Sequence, residues 1–258
     1  MLDSNLFSVH LHLYYKEPSI SLLNAIRKGW DGKVYISVVT GNENNDDIIK
    51  VAKELFKEVI VVENENRGND QYGFYKSFKK NNDETDWIFY AHDKHESKMD
   101  WMHELIAPMV KHTEAINHLA SQEKIGLIAT KTEQYTFIQM TEEQLNHLGD
   151  SCSPEERIKI IQSKQTLVWL RELQRALVKQ NDLQNIHDPN SLVFVAGNIF
   201  LIRRSILQKC HNCLHENFFD RYYRPDGDVG HGLERFYFYA PLCLNFNVQL
   251  VGEEENND

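Results

Sequence analysis

Residues 7–15 alternate between an apolar face of Phe7, Val9, Leu11, Leu13 and Tyr15 and a polar face carrying Ser8, His10 and His12, the period of a β-strand. Pro18 ends that strand, and residues 19–28 suit a helix capped by Ser19. After the turn Gly29-Trp30-Asp31-Gly32, the β-branched run 33–40 predicts a second strand. Asn44-Asn45-Asp46-Asp47 supplies a cap and an acidic first turn for a helix to about Phe56. Residues 58–62 form a third strand, residues from about 71 to 80 a helix, and Trp87 to Ala91 a fourth strand. Strands alternating with helices at this spacing predict right-handed crossovers and a mostly parallel sheet.

The second half is patterned differently. Helix is predicted over 101–121, 142–148, 153–179 and 228–239, and strand over 124–130 and 244–251. The apolar run 192–201 reads as one strand, with Gly197 allowing close backbone approach. Leu167, Leu170, Leu173 and Leu177 recur at helical spacing, which suits either a core stripe or a homodimer surface.

Composition narrows the classes. The chain has 258 residues and a net charge of −10, which disfavours the broad positive field that nucleic-acid binding needs. An anionic small ligand is compatible with that charge, because one Arg or Lys can neutralise a phosphate locally. The N-terminal Met1-Leu2-Asp3-Ser4-Asn5 carries no basic-then-apolar pattern, and no run is long enough to span a bilayer, so a cytoplasmic protein is expected. Peripheral association with the inner face of a membrane, through a partner or a lipid-linked substrate, fits the same pattern. Cys210-His211-Asn212-Cys213 has the spacing of half a zinc site, with no second pair to complete it, so plain thiols are expected.

Three stretches carry candidate chemistry. The fourth strand empties into His92-Asp93-Lys94-His95-Glu96, where open α/β sheets bind ligands. Asp93 with substrate phosphates would suit Mg²⁺ or Mn²⁺, and Lys94 offers a metal-free way to neutralise a diphosphate. His92 and Asp93 could share an ion only if the chain bends, since adjacent strand residues face opposite ways. Upstream, Asn66-Arg67-Gly68-Asn69-Asp70 offers Arg67 for phosphate, Gly68 for close backbone approach, and Asp70 for a ribose or sugar hydroxyl. Asp70 equally suits a helix cap. Downstream, helical spacing from Asp228 puts His231 and Glu234 roughly on one face, with Arg235 four residues beyond His231, and Asp226 just ahead. A carboxylate beside His and Arg suits a general base. No Gly-x-Gly-x-x-Gly or Walker A loop is present, which argues against dinucleotide dehydrogenases and P-loop enzymes.

With these residues in view, the chain resembles the rhamnan synthesis protein F family, bacterial glycosyltransferases of surface-polysaccharide assembly. The landmarks are Val9-His10-Leu11, the segment 63–70, His92-Asp93-Lys94 with Ser97, Trp101, and Gly126-Leu127-Ile128. They continue through residues 194–200 with Arg203, and Asp226-Gly227 leading to His231, Glu234 and Arg235. The resemblance implies an α/β, GT-A-like fold in one domain. Residues 1–100 would form the nucleotide-binding half, 101–251 the acceptor half, and 252–258 an acidic tail. It also implies transfer of rhamnose, or a related sugar such as galactofuranose, from a nucleotide-sugar donor to a glycan or lipid-linked glycan acceptor, for which inverting displacement with a single base is the expected mechanism. His10, Arg67, Gly68, Asp70, His92, Asp93, Lys94 and Arg235 would face the donor, and Asp226, Glu234 and His231 would carry catalysis. Members often hold a hydroxyl residue where this chain has Asp93, the position that would restore metal binding. Two rivals remain: a noncatalytic sugar- or nucleotide-binding module, and, ranked last, a metal-dependent hydrolase built on His92, Asp93, His95 and His231.

Overall fold

The computed structural model describes residues 1–131, 134–136, 154–183, 193–195, 197–219 and 229–252. The expected helix over 142–148, the Asp226-Gly227-Asp228 cluster and most of the acidic tail lie outside them.

The first half follows the hydrophobic pattern closely. Strand β1 (Phe7–Leu13), helix α1 (Lys16–Arg27), β2 (Lys33–Val39), α2 (Asn45–Leu55), β3 (Glu58–Asn64), α3 (Asn69–Lys80) and β4 (Trp87–His92) alternate as expected. Strand β1 is buried along its whole length, and β1 pairs in parallel with β2 and β4, while β2 pairs in parallel with β3. The direction of the crossovers puts α1 and α2 on one face and α3 on the other, because β3 to β4 runs back across the sheet. One boundary differs from expectation. Helix α1 begins at Lys16, so Pro18 lies in its first turn, where a missing N–H costs nothing, and Ser19 sits inside the helix rather than capping it.

Past β4 a short 3₁₀ turn (Glu96–Lys98) leads into α4 (Met99–Lys111) and α5 (Thr113–Ala120), the predicted single helix being broken at His112. Strand β5 (Ile125–Thr130) is followed by β6 (Gln134–Thr136), the long helix α6 (Pro154–Asn181), β7 (Val193–Val195) and β8 (Phe200–Arg203). Then come α7 (Arg204–Asn212), which sequence patterning missed, a 3₁₀ turn (Glu216–Phe218), α8 (Val229–Cys243) and β9 (Asn247–Val251). The run read as one strand is therefore two. Gly197 at φ 109° and Asn198 at φ 53° take the chain through left-handed backbone, which no strand tolerates. Strand β7 pairs with β6 in a small separate ribbon, and β8 enters the main sheet.

The main sheet has seven strands in the order β3-β2-β1-β4-β8-β5-β9, antiparallel only where β8 meets β4 and β5. It is a mixed α/β architecture with flanking helices. Leu170, Leu173 and Leu177 of α6 are buried and α6 packs on α8, so those positions belong to the core. Among the described residues, no helix is long and apolar enough to cross a membrane.

Candidate active site

The charged residues beyond β4 divide between the two faces of the sheet. His92 turns to the α3 side and Asp93 to the α1 side, as successive strand residues do, with no bend to bring them together. Asp93 Oδ2 accepts from Tyr14 N at 2.9 Å, Tyr15 N at 2.7 Å and Ser19 Oγ at 2.7 Å. The carboxylate thus closes the β1–α1 corner, satisfying N–H groups that the helix start leaves orphaned. Burial pushes its pKa up to about 6 against the opposing pull of those three bonds and of Lys94. Asp93 therefore corrects the metal-ligand expectation: Oδ2 is engaged by scaffold donors, away from His92. Among the described residues no group of three or more His, Cys, Asp or Glu side chains could hold a metal ion. Among the described residues, the groups around Asp93 do not make up a protein-held Mg²⁺ or Mn²⁺ site.

The α3 side gathers the other charges. Asp70, in the first turn of α3, points inward rather than capping the helix. The N-cap position is Gly68, and it makes no side-chain cap bond. Asp70 Oδ2 accepts from Tyr90 Oη at 2.9 Å, Gln71 Nε2 at 2.6 Å and Asn198 Nδ2 at 3.2 Å, and lies 3.7 Å from His92 Nε2. Lys94 Nζ donates to His92 Nε2 at 2.5 Å and sits 5.1 Å over the Trp101 ring. Burial alone would raise the Asp70 carboxyl, but His92, Lys94, His12 and the Tyr90 hydroxyl outweigh it and hold the pKa below the usual value. Burial pushes His92 down to about 3, with Asp70 opposing and Lys94 adding to the drop, so its imidazole is neutral and accepts from the ammonium. Lys94 itself is pushed down to about 8 by burial, with Asp70 and Glu234 opposing. Asp70 and His92 keep 12 % and 13 % of their side-chain surface, enough to be touched by a ligand.

Helix α3 lies close over the sheet because Gly73 has no Cβ, which would come within 2.2 Å of His12 Nδ1 and 2.6 Å of Ser37 Oγ. His12 shares a 2.8 Å hydrogen bond with Ser37 Oγ and is pushed down to about 4 by burial, against the pull of Asp70. From the second half, Glu234 on α8 reaches the turn before β8, where Gly197 N donates to Oε1 at 2.8 Å. Arg235 Nη1 donates to Glu234 Oε2 at 3.3 Å and to the His231 carbonyl at 2.8 Å. Asp70 and Glu234 are thus held by consecutive residues, Asn198 and Gly197.

Three other expected site residues make contacts within the scaffold. His10 is wholly buried: Asn81 Nδ2 donates to Nε2 at 2.8 Å, Nδ1 pairs with Ser77 Oγ at 2.9 Å, and the ring stacks on Tyr35. It has no face left for a donor, which corrects that expectation. Gly68 adopts φ 60°, but the group pressed against it is Phe219, whose Cδ1 would lie 2.5 Å from an added Cβ. The Arg67 guanidinium stacks 4.3 Å over Tyr72, donates to its hydroxyl at 2.9 Å, and lies 3.7 Å from Glu216. His95 turns to Ser97 and Tyr15, so the hydrolase set of His92, Asp93, His95 and His231 is not assembled. Cys210 and Cys213 are free thiols, both pushed up by burial (Cys213 to about 11), which opposes the thiolate state zinc requires.

Sequence reasoning passed over Tyr90, Gln71, Asn198 and His12 as site residues. Tyr90 and His12 were within reach, since each shares the alternating face of a residue already singled out: Tyr90 with His92, and His12 with His10. Asn198 had no local signal beyond its place in an apolar run. What the cluster can do is bind: a partly buried cation that donates to His92 and feels the charges of Asp70 and Glu234, beyond the carboxyl end of β4, suits an anionic, hydroxyl-rich ligand.

No curated protein matches the chain. The sequence model of the rhamnan synthesis protein F family matches residues 1–245, nearly its whole length. The chain therefore belongs to the rhamnan synthesis protein F family, which implies a part in rhamnan polysaccharide synthesis.

Proposed function

We propose that the chain is a GT-A-like glycosyltransferase that moves rhamnose or a related sugar from a nucleotide-sugar donor to a glycan or lipid-linked glycan acceptor. The observation that carries this reading is the charged group beyond β4, in which Lys94 donates to His92 and His92 lies 3.7 Å from Asp70. Lys94 neutralises the donor diphosphate together with Arg67, whose guanidinium spends one Nη2 donor on Tyr72. Asp70 accepts from a sugar or ribose hydroxyl. Glu234 takes the proton of the acceptor hydroxyl as that oxygen bonds to the anomeric carbon. The bond from that carbon to the diphosphate oxygen breaks in line, and the diphosphate leaves as the anion with inversion. Asp226 is the other candidate base.

General-base catalysis contributes roughly 10²–10⁴-fold, so Glu234→Gln should lower kcat by about that factor at unchanged donor affinity. Turnover is followed by nucleotide release from a panel of UDP, dTDP, GDP and CDP sugars. A specific observation favours a second reading, a noncatalytic sugar- or nucleotide-binding module: both oxygens of Glu234 are already engaged, by Gly197 and Arg235. Nucleotide-sugar binding without turnover, in the presence of a glycan acceptor, would select that module.

A further inference from the structure

Asn198 is a buried asparagine with left-handed backbone, 6 % exposed, in the turn that joins the two carboxylates of the site. Its amide orientation is fixed by chemistry. An ionised carboxylate accepts and does not donate, so the group 3.2 Å from Asp70 Oδ2 is the Nδ2 amine. The carbonyl Oδ1 then points elsewhere, and it has no hydrogen-bond partner among the described residues. Gln71 repeats the arrangement: its Nε2 donates to the same Asp70 oxygen at 2.6 Å, and its buried Oε1 is likewise unpartnered. Two amides gripping one carboxylate thus leave two bare carbonyl oxygens beside it. A buried carbonyl left without a donor costs free energy, so such an oxygen calls for a donor group, and a second carboxylate or a phosphate would be repelled.

We infer that Asn198 Oδ1 reads a hydroxyl of the transferred sugar, making Asn198 a specificity residue of the donor site. The location supports the sugar over the ribose. Gly197 N holds Glu234 and Asn198 Nδ2 holds Asp70, so the turn lies between the carboxylate placed at the acceptor and the one placed at the donor. On the glycosyltransferase reading, the group that lies between them is the sugar being moved. Gln71 Oε1 offers a second acceptor to a neighbouring hydroxyl. This inference rests on the proposed donor site but not on turnover, and binding alone tests it.

The experiment is calorimetric titration of the unmodified protein and Asn198→Gly with a nucleoside diphosphate, its nucleotide sugar, and singly deoxygenated versions of that sugar. Glycine accepts the left-handed backbone of this position without strain, so the variant removes the amide and leaves the turn. Losing one neutral hydrogen bond should weaken nucleotide-sugar binding about three- to tenfold, while binding of the bare diphosphate changes less than about twofold. One deoxygenated sugar should bind the unmodified protein as weakly as the full sugar binds Asn198→Gly, and should lose nothing further in the variant. Equal weakening of diphosphate and nucleotide sugar would overturn the inference, because Asn198 would then act on the donor site as a whole; so would an effect of Asn198→Gly that vanishes in an Asp70→Asn background, because Asn198 would then act only by bracing Asp70. So would an unmodified protein indifferent to every single deoxygenation, whatever the variant does. If no nucleotide or nucleotide sugar binds the unmodified protein, the donor-site reading falls and this inference falls with it.

Discussion

Two aspartates, Asp70 in the first turn of α3 and Asp93 just past β4, are both largely buried, each with three hydrogen-bond donors on one oxygen, yet their pKa values shift in opposite directions. Asp93 has only neutral donors from the β1–α1 corner, and burial wins, pushing it up to about 6. Asp70 has three neutral donors too, but His92 and Lys94 stand beside it, and it is held below the usual carboxylate range. Three hydrogen bonds and a weaker pull from Lys94 do not offset burial at Asp93, whereas at Asp70 the neighbouring His92 and Lys94 do. That difference separates scaffold from chemistry. The α1 side of β4 is a structural joint, and the α3 side carries the only one of these two carboxylates that is poised, with its cation, to meet a ligand.

The largest expected effect tests the scaffold side. Asp93→Ala strips the acceptor from two backbone N–H groups and the Ser19 hydroxyl, and should lower stability by about 2–4 kcal/mol. Urea unfolding measures that loss. The folded remainder should bind a nucleoside diphosphate within about twofold of the unmodified protein. Intact stability with lost binding would exchange the roles of the two aspartates and return Asp93 to the ligand.

Lys94→Met removes the cation and keeps an unbranched apolar stem to pack beside Trp101. A hydrogen bond to a charged group is worth about 1.5–3 kcal/mol, so diphosphate binding should weaken roughly ten- to hundredfold. Calorimetry at low salt reads this directly. An unchanged dissociation constant would mean that Lys94 serves only to hold Asp70 ionised.

How far this contrast was legible in the sequence depends on range. The alternation over 7–15 and the β-branched run from Lys33 are local signals, and both strands formed, the first ending at Leu13 because Tyr15 is the N-cap residue of the following helix. The break at Gly197-Asn198 was hidden because apolar residues flank it on both sides. Only the pairing of β7 with β6, and of β8 with β4, makes two strands of that run. In the site, Lys94 stood out as a charge at the end of an apolar strand, Asp70 in the polar stretch 66–70, and Glu234 at helical spacing from His231. Which way each one points did not. Asp93 was read as facing the ligand because nothing nearby in sequence announces Ser19 and the Tyr14 and Tyr15 amides as its partners. His10 is the same case: its partners Ser77 and Asn81 lie about seventy residues downstream.

The smallest effect is a slope, and it sets the two aspartates' surroundings against each other. His12 is held neutral in the fold down to about pH 4, and His92 and His211 down to about pH 3, against an ordinary value of 6.5. Between those limits the unfolded chain binds more protons than the folded one, so stability falls as pH falls below 6.5. Each of these histidines steepens the fall by up to about 1.4 kcal/mol per pH unit. Asp93 acts with the opposite sign. Between its ordinary value of 3.8 and about 6, the folded protein binds the extra proton, so acid favours the fold. Asp93→Asn removes that counterweight, and its stability should fall more steeply from pH 6 to pH 4 than that of the unmodified protein. Urea midpoints measured across that interval give both slopes. Parallel slopes would mean that Asp93 is ionised throughout and that its three donors, not burial, decide its charge, which would erase the distinction from Asp70.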